Sequence, residues 1–247
     1  MELKFDQDGA RLYFNGVDHC ALFVKTSEGY AEGVAWNGIS NATVTPEGGD
    51  ANDVYADNIK YLSIPGAVNI NASITAYTYP DAFNDCMGLG KTSDGKADAV
   101  LFANQERKKF GLVYRSKIGN DVSDDYGYVL NILYNCLASP TELSSDTVNE
   151  SPEAAELSFD ITTVAVAESD MPKGLKPTSW VRIECKRGGL LNNDGTPTEK
   201  LKALLGKLYG TDTEGQTEGT DTEGQTKGTA PELIMPVAIY DMLKTQQ

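Results

Sequence analysis

Val34 to Leu62 reads VAWNGISNATVTPEGGDANDVYADNIKYL. Two apolar-containing runs, Trp36–Val44 and Val54–Leu62, flank Pro46, Glu47, Gly48, Gly49, Asp50, Ala51, Asn52 and Asp53. That middle piece is turn chemistry: Pro46 presets φ, Gly48 and Gly49 admit positive φ, and Asp50, Asn52 and Asp53 bond their own backbone. A hairpin closes with about two to five residues, so this connection is long for one that buries no side chain. Long connections in compact domains either carry function or stay unstructured. With Trp36, Tyr55 and Tyr61 on its flanks and acids within it, the piece suits a docking arm. A solvated surface loop is the alternative reading.

Outward from this stretch the chain alternates with the period of a strand. In Ala67–Tyr79, Val68, Ile70, Ala72, Ile74 and Ala76 fall on one side and Asn69, Asn71, Ser73 and Thr75 on the other, a half-buried strand with one wet face. Gln105–Lys117 alternates through Phe110, Leu112 and Tyr114. Tyr126–Leu137 places Tyr126, Tyr128, Leu130, Ile132, Tyr134 and Cys136 against Val129, Asn131, Leu133 and Asn135. Leu157–Val166 and Trp180–Lys186 add two more strands, and LYF at 12–14 and CALFV at 20–24 read as a short first strand and a second one. Pro80–Met87 reads as a turn of helix with proline in a favourable first position. Several alternating strands separated by turn clusters favour a mainly β fold, a sandwich or barrel, over a doubly wound sheet.

One longer helix is specified. Thr196-Pro197-Thr198-Glu199 reads as a capping box, Leu201, Leu204, Leu205 and Leu208 form a stripe, and Gly210 stops it, which predicts a helix over 197–209. Residues 210–218 (GTDTEGQTE) and 219–227 (GTDTEGQTK) are a tandem nonapeptide without an apolar residue. They lack the paired glycines and filling apolar position of calcium-binding nonapeptide rolls and read as an exposed insertion. The chain thus divides into a β domain at 1–209, the insertion at 210–229, and an apolar segment at 230–247 that docks on its own or a neighbouring subunit.

The formal charge is −15, from 36 acids against 21 bases. Such a surface opposes direct binding to a phosphate backbone and suits one past which DNA slides; plain solubility is the bland reading. Cys20, Cys86, Cys136 and Cys185 show no paired spacing and read as reduced, buried thiols. The start MELKFDQDG has no signal-peptide pattern, and no run is long enough to span a membrane. A cytoplasmic site of synthesis is expected.

Catalytic patterns are weak. His19 is the sole histidine, and its neighbour Cys20 would point to the opposite face of a strand, so a Cys–His dyad is not expected. Asp85-Cys86-Met87-Gly88-Leu89-Gly90-Lys91-Thr92 looks like a phosphate loop lacking its first glycine and the following helix. Asp121–Asp125 lacks the glycine and closing glutamate of a calcium loop. Arg107-Lys108-Lys109 is brief and fits an intersubunit salt bridge or a solvated face better than nucleic-acid binding. No cofactor, metal or catalytic residue is expected.

The wording W-N-G, T-P-E-G-G-D-A-N and Y-A-D-N-I-K-Y, continued in Tyr77–Asp81, Arg107–Ser116, Ile118–Asp121, Asp125–Tyr128, Cys136–Pro140, Leu201–Leu204 and Tyr209–Gly210, resembles the major tail proteins of long, non-contractile-tailed phages of Gram-positive bacteria. The resemblance implies two packed antiparallel sheets with one flanking helix, and self-assembly into stacked hexameric rings that form the tail tube. It implies that residues 46–53 form the inter-ring stacking loop, with Trp36, Tyr55, Asp57 and Tyr61 as loop anchors and subunit contacts. Implied partners are further copies of the chain, the tape-measure protein, the tail terminator and tip proteins. DNA would pass through the lumen without specific binding, no membrane would be involved, and the virion tail would be assembled in the host cytoplasm. Strands 68–76 and 126–136 are the candidates to turn a wet side to the lumen. The rival readings are a cytoplasmic β-sandwich binding module or acid-pair hydrolase, or the tube protein of a contractile or secretion system.

Overall fold

The computed structural model describes residues 5, 7–92, 99–142, 147, 154–211 and 228–244. The chain runs β1 (Leu12–Thr26), β2 (Gly29–Tyr30), β3 (Val34–Trp36), β4 (Ile39–Gly48), β5 (Ala51–Ala56), β6 (Ile59–Pro65), β7 (Val68–Ala76), α1 (Asn84–Met87), β8 (Phe110–Asn120), β9 (Gly127–Ala138), β10 (Leu157–Thr162), β11 (Trp180–Lys186), α2 (Glu199–Tyr209) and α3 (Pro236–Leu243). The fold is mainly β, and every ladder between these strands is antiparallel.

Two sheets share β9. From Gly127 to Cys136 it pairs with β8 and from Gly127 to Leu133 with β11, and β8 in turn pairs with β1, which carries β2 and β3. Its last residues, Leu137 and Ala138, pair instead with Thr162 and Ile161 of β10, and the order continues through β7 to β4. We call the first group the inner-layer sheet and the second the outer sheet. Apolar side chains fill the space between them: Leu22, Trp36, Ile74, Phe83, Phe110, Leu112, Leu133, Cys136, Phe159 and Ile161 form one cluster. The opposite face of the inner-layer sheet, with Phe23, Val113, Leu130, Ile132, Tyr134 and Ile183, is covered by Leu201, Leu204 and Leu208 of α2 and by Leu233, Ile234 and Ile239 of the C-terminal segment. A sheet buried on both faces explains the nearly unbroken apolar character of β8 and β9.

Strand irregularities account for the departures from simple alternation. Between the pairs Phe110↔Cys136 and Leu112↔Leu133, Tyr134 and Asn135 both oppose Gly111, and Asn135 adopts φ 48°. This bulge moves Cys136 off the face of Tyr134, where alternation placed it, into the cluster between the sheets. The two short runs at 12–14 and 20–24 are one strand, β1, bulged between Phe14 and Val17 and again between Asp18 and Ala21. Gly16 and His19 take the positive φ values there, and Arg115 clamps the second bulge with two bonds to Asp18 at 2.8 and 3.0 Å.

The helix predicted over 197–209 begins at Glu199, with Thr198 at the cap and no side-chain cap bond. Thr196 instead turns to Asp194, receiving no role in the helix: its N–H and hydroxyl both donate to that carboxylate, at 2.9 and 2.6 Å. Gly210 ends the helix at φ 78°. The strand read as 157–166 stops at Thr162, and Pro80–Met87 forms a 3-10 turn followed by α1. The C-terminal segment is bonded to the sheet within the chain: Tyr134 donates its hydroxyl to the Ile234 carbonyl at 2.7 Å, and Gly33 N–H donates to Pro231 at 3.1 Å. A side chain at Gly111 would overlap Leu233, so that glycine admits the segment onto the sheet. Most of the nonapeptide repeat, 212–227, lies outside the described residues; the chain on either side meets in a Thr211–Thr229 bridge.

Candidate assembly surface

The stretch read as one long connection is a second hairpin. Pro46, Glu47 and Gly48 belong to β4 and pair with Ile70, Asn69 and Val68, while Ala51, Asn52 and Asp53 belong to β5 and pair with Pro65, Ile64 and Ser63. Only Gly49 and Asp50 separate the two strands. The projecting element is therefore β5–β6, centred downstream of the residues picked from the sequence, and its tip is Asp57–Asn58 at φ 52° and 63°. Two consecutive positive φ values are those of the tight turn that matches strand twist, and Asp and Asn tolerate them. The turn-rich residues lie at 46–53, whereas the tip, Asp57–Asn58, falls within the run Val54–Leu62.

The root is pinched by small residues. Gly48 and Gly49 take φ 79° and 82°, and a Cβ on Gly48 would come within 2.7 Å of the Ala67 carbonyl. Gly49 N–H donates to Ala67 at 3.0 Å and Gly66 N–H to Asp50 at 3.1 Å. Beyond this neck no residue of β5 or β6 is buried: Tyr55 and Tyr61 are each 68% exposed and Ile59 is 64% exposed. The register sets Asn52 and Val54 beside Ile64 and Leu62 on one face and Asp53, Ser63 and Lys60 on the other. The polar face is internally bonded. Lys60 Nζ lies 2.7 Å from Asp53 Oδ1, and Ser63 donates to the same oxygen at 2.6 Å. The bond from Lys60, then that from Ser63, holds the Asp53 carboxyl below its ordinary pKa.

Asp57, Tyr55 and Tyr61 thus stand on this projection, as do Val54, Ile59, Leu62 and Ile64, which the sequence reading did not single out. Trp36 does not. It is 2% exposed, its indole N–H donates to the Thr78 carbonyl at 2.8 Å, and its ring packs on Phe83 and Phe159 at 4.5 and 5.8 Å. It belongs to the core, at the end of β4 away from the hairpin.

The outer sheet from which the hairpin springs has one wet face. Its rows across β4, β7 and β10 read Asn41–Thr75–Ser158, Thr43–Ser73–Asp160 and Thr45–Asn71–Thr162, with Glu47–Asn69 nearest the hairpin. None of these residues is buried, none is basic, and the charged ones are Asp160 and Glu47. Asn71 donates to Glu47 at 2.8 Å within this face. Strand 68–76 therefore does present a wet side, whereas 126–136 is covered on both faces.

The residues weighed for chemistry sit apart. His19 occupies the β1 bulge beside Asp18 and Arg115, whereas Cys20 is buried between the sheets, where burial pushes its thiol well up. Asp85–Met87 lie in α1, and Gly88 caps it at φ 82°.

No protein-family model matches the chain, and no curated protein matches it. Among solved structures it is similar to the SPP1 tail tube, at 12% identity over 87% of this chain and 97% of that one, with a TM-score of 0.36. It is also similar to an extracellular contractile injection system, the PVC sheath–tube complex, at 11% identity over 74% and 94%, TM-score 0.34. A third is the anti-feeding prophage cap, at 10% identity over 74% and 95%, TM-score 0.33.

Proposed function

We propose that this chain is a structural, non-enzymatic subunit that assembles with copies of itself into stacked six-membered rings, forming the tail tube of a long, non-contractile-tailed phage. The observation that carries the reading is the β5–β6 hairpin, an element with no buried residue that holds Val54, Ile59, Leu62 and Ile64 in solvent. An isolated hairpin of this length is marginal in water, and exposed apolar surface that its own domain does not cover marks a contact with another molecule. In the ring stack this hairpin, with residues 46–53 as its root, is the arm that reaches the neighbouring ring.

The ring itself closes through sheet edges. β4 pairs only with β7 among the described residues, so its other edge presents unpaired backbone groups, and cyclic repetition of one contact satisfies every such edge in turn. With β4 at the joint, the outer sheet becomes the tube wall and its Asn, Ser and Thr rows the lumen. A face that is neutral to acidic offers DNA phosphates no cation to bind, so the genome passes without sticking. The tape-measure protein within the lumen, a terminator at the head end and tip proteins at the other complete the partners, in a virion tail assembled in the host cytoplasm.

Negative-stain electron microscopy of the concentrated full chain, beside a sizing column, tests this. Rings or tubes with a central hole are expected. A monomer that also stays inert when seeded with tail tips would end the reading.

A further inference from the structure

Head-to-tail stacking needs complementary surfaces at opposite ends of one subunit, and the chain carries such a pair. The hairpin leaves the outer sheet at Gly48 and Val68. At the far end of the same two strands, about 30 Å away along β7 at some 3.3 Å per residue, Tyr77 N–H donates to the Gly38 carbonyl at 2.9 Å. From there the chain enters α1 and a loop that is fastened back onto it. Gly90 and Phe102 exchange backbone bonds at 3.0 and 2.8 Å, Gln105 N–H donates to Gly88 at 3.0 Å, and Lys108 N–H donates to Asp85 at 3.0 Å.

This fastened loop exposes Val100, Leu101 and Phe102, the last at 48%. Among the described residues, Lys91, Arg107, Lys108 and Lys109, all exposed, stand around them against the carboxylates of Glu106 and Asp85, the latter bonded to Lys108. The hairpin has the opposite balance, with Asp50, Asp53 and Asp57 against Lys60 alone. In a chain of net charge −15, a basic apolar patch at one end and an acidic apolar hairpin at the other are the natural partners.

We propose that Lys91 together with residues 99–109 is the seat on which the β5–β6 hairpin of a second copy docks. The seat rests on the tube reading above and deepens it by naming the surface that receives the arm. Two of the cations already have work within the subunit: Arg107 donates to the Ala138 carbonyl at 2.7 Å and Lys108 bonds Asp85 at 2.7 Å. Lys91 and Lys109 are therefore the ones to alter.

The test is a charge swap on the full chain, with self-association followed by sedimentation velocity and folding by thermal melting. D50K/D57K and K91E/K109E should each weaken association at least about tenfold, because like charges then meet across the contact. The combined four-residue variant should return to within about threefold of the unaltered chain, all three melting as it does. A combined variant as weak as its parents, or a K91E/K109E chain that assembles normally, would overturn the seat while leaving the tube reading standing. An unaltered chain that never associates would remove both.

Discussion

Lys60 Nζ lies 2.7 Å from Asp53 Oδ1, on the strand opposite and within the same hairpin. The ion pair and the Ser63 bond stiffen β5–β6 on its polar face, while Val54, Leu62 and Ile64 on the other face are exposed. A hairpin made firm by its own polar side and left unsatisfied on its apolar side is suited to dock elsewhere.

The pair makes hairpin order depend on pH. The native Asp53 carboxyl sits below the ordinary value of about 3.9. Its contribution is therefore in place above that ordinary value and is lost as pH falls through the lower native one. Amide protection across 51–65, taken relative to the intrinsic exchange rate at each pH, should fall on acidification below about pH 4, and Asp53→Asn should be less protected at neutral pH with this step removed.

The tip should be separable from the body. Asn58 holds φ 63°, which a β-branched side chain resists. Asn58→Val should unravel β5–β6 and abolish tubes, yet shift the melting temperature of the body by no more than about 1 °C, since nothing on the hairpin is buried. Paired melting and electron microscopy read both halves of this expectation.

Trp36 and Phe83 should behave as core residues. Phe83 is fully buried, with its ring against those of Trp36, Tyr79, Phe110 and Phe159 at 4.5 to 6.1 Å. Phe83→Ala should cost about 3–5 kcal/mol in a denaturant titration. Trp36→Phe should cost about 1–3 kcal/mol, because the buried site loses ring volume and the indole bond to the Thr78 carbonyl. Well below its melting point the Trp36 variant should still assemble, which a surface-contact residue would not permit.

The repeat should be dispensable to folding. Thr211 N–H donates to the Thr229 carbonyl and Thr229 N–H to the Thr211 hydroxyl, each at 3.0 Å, so the flanks are already closed. Deleting 219–227 roughly halves the enclosed length and should stabilise the fold by about 0.6 kcal/mol, raising the melting point by about 1–3 °C.

Much of the fold can be read in the chain wherever one periodicity persists. The wet Asn–Ser–Thr side of β7 and the limits of β11 follow from alternation alone, because neither strand bulges in its ladder. Alternation fails where an extra residue enters a strand, as at Asn135, which carries Cys136 across the sheet, and at Gly16 and His19, which make one strand look like two. The exposed β5–β6 hairpin was not legible in its position. Asp57-Asn58 lacks the glycine that usually announces a two-residue turn, while Gly48-Gly49 announces one where the chain only narrows at the neck. Trp36 looked like a contact because large aromatics serve cores and interfaces alike. Its burial depends on Phe83 and Phe159, which lie far away in sequence.

A helical reconstruction of assembled material, at a resolution that traces strands, tests the central claim most directly. The expected result is a tube whose channel is lined by the Asn41, Thr43, Thr45, Asn71, Ser73 and Thr75 face, with each β5–β6 hairpin crossing into the adjacent ring. A channel lined by another face, or hairpins that stay within their own ring, would contradict it.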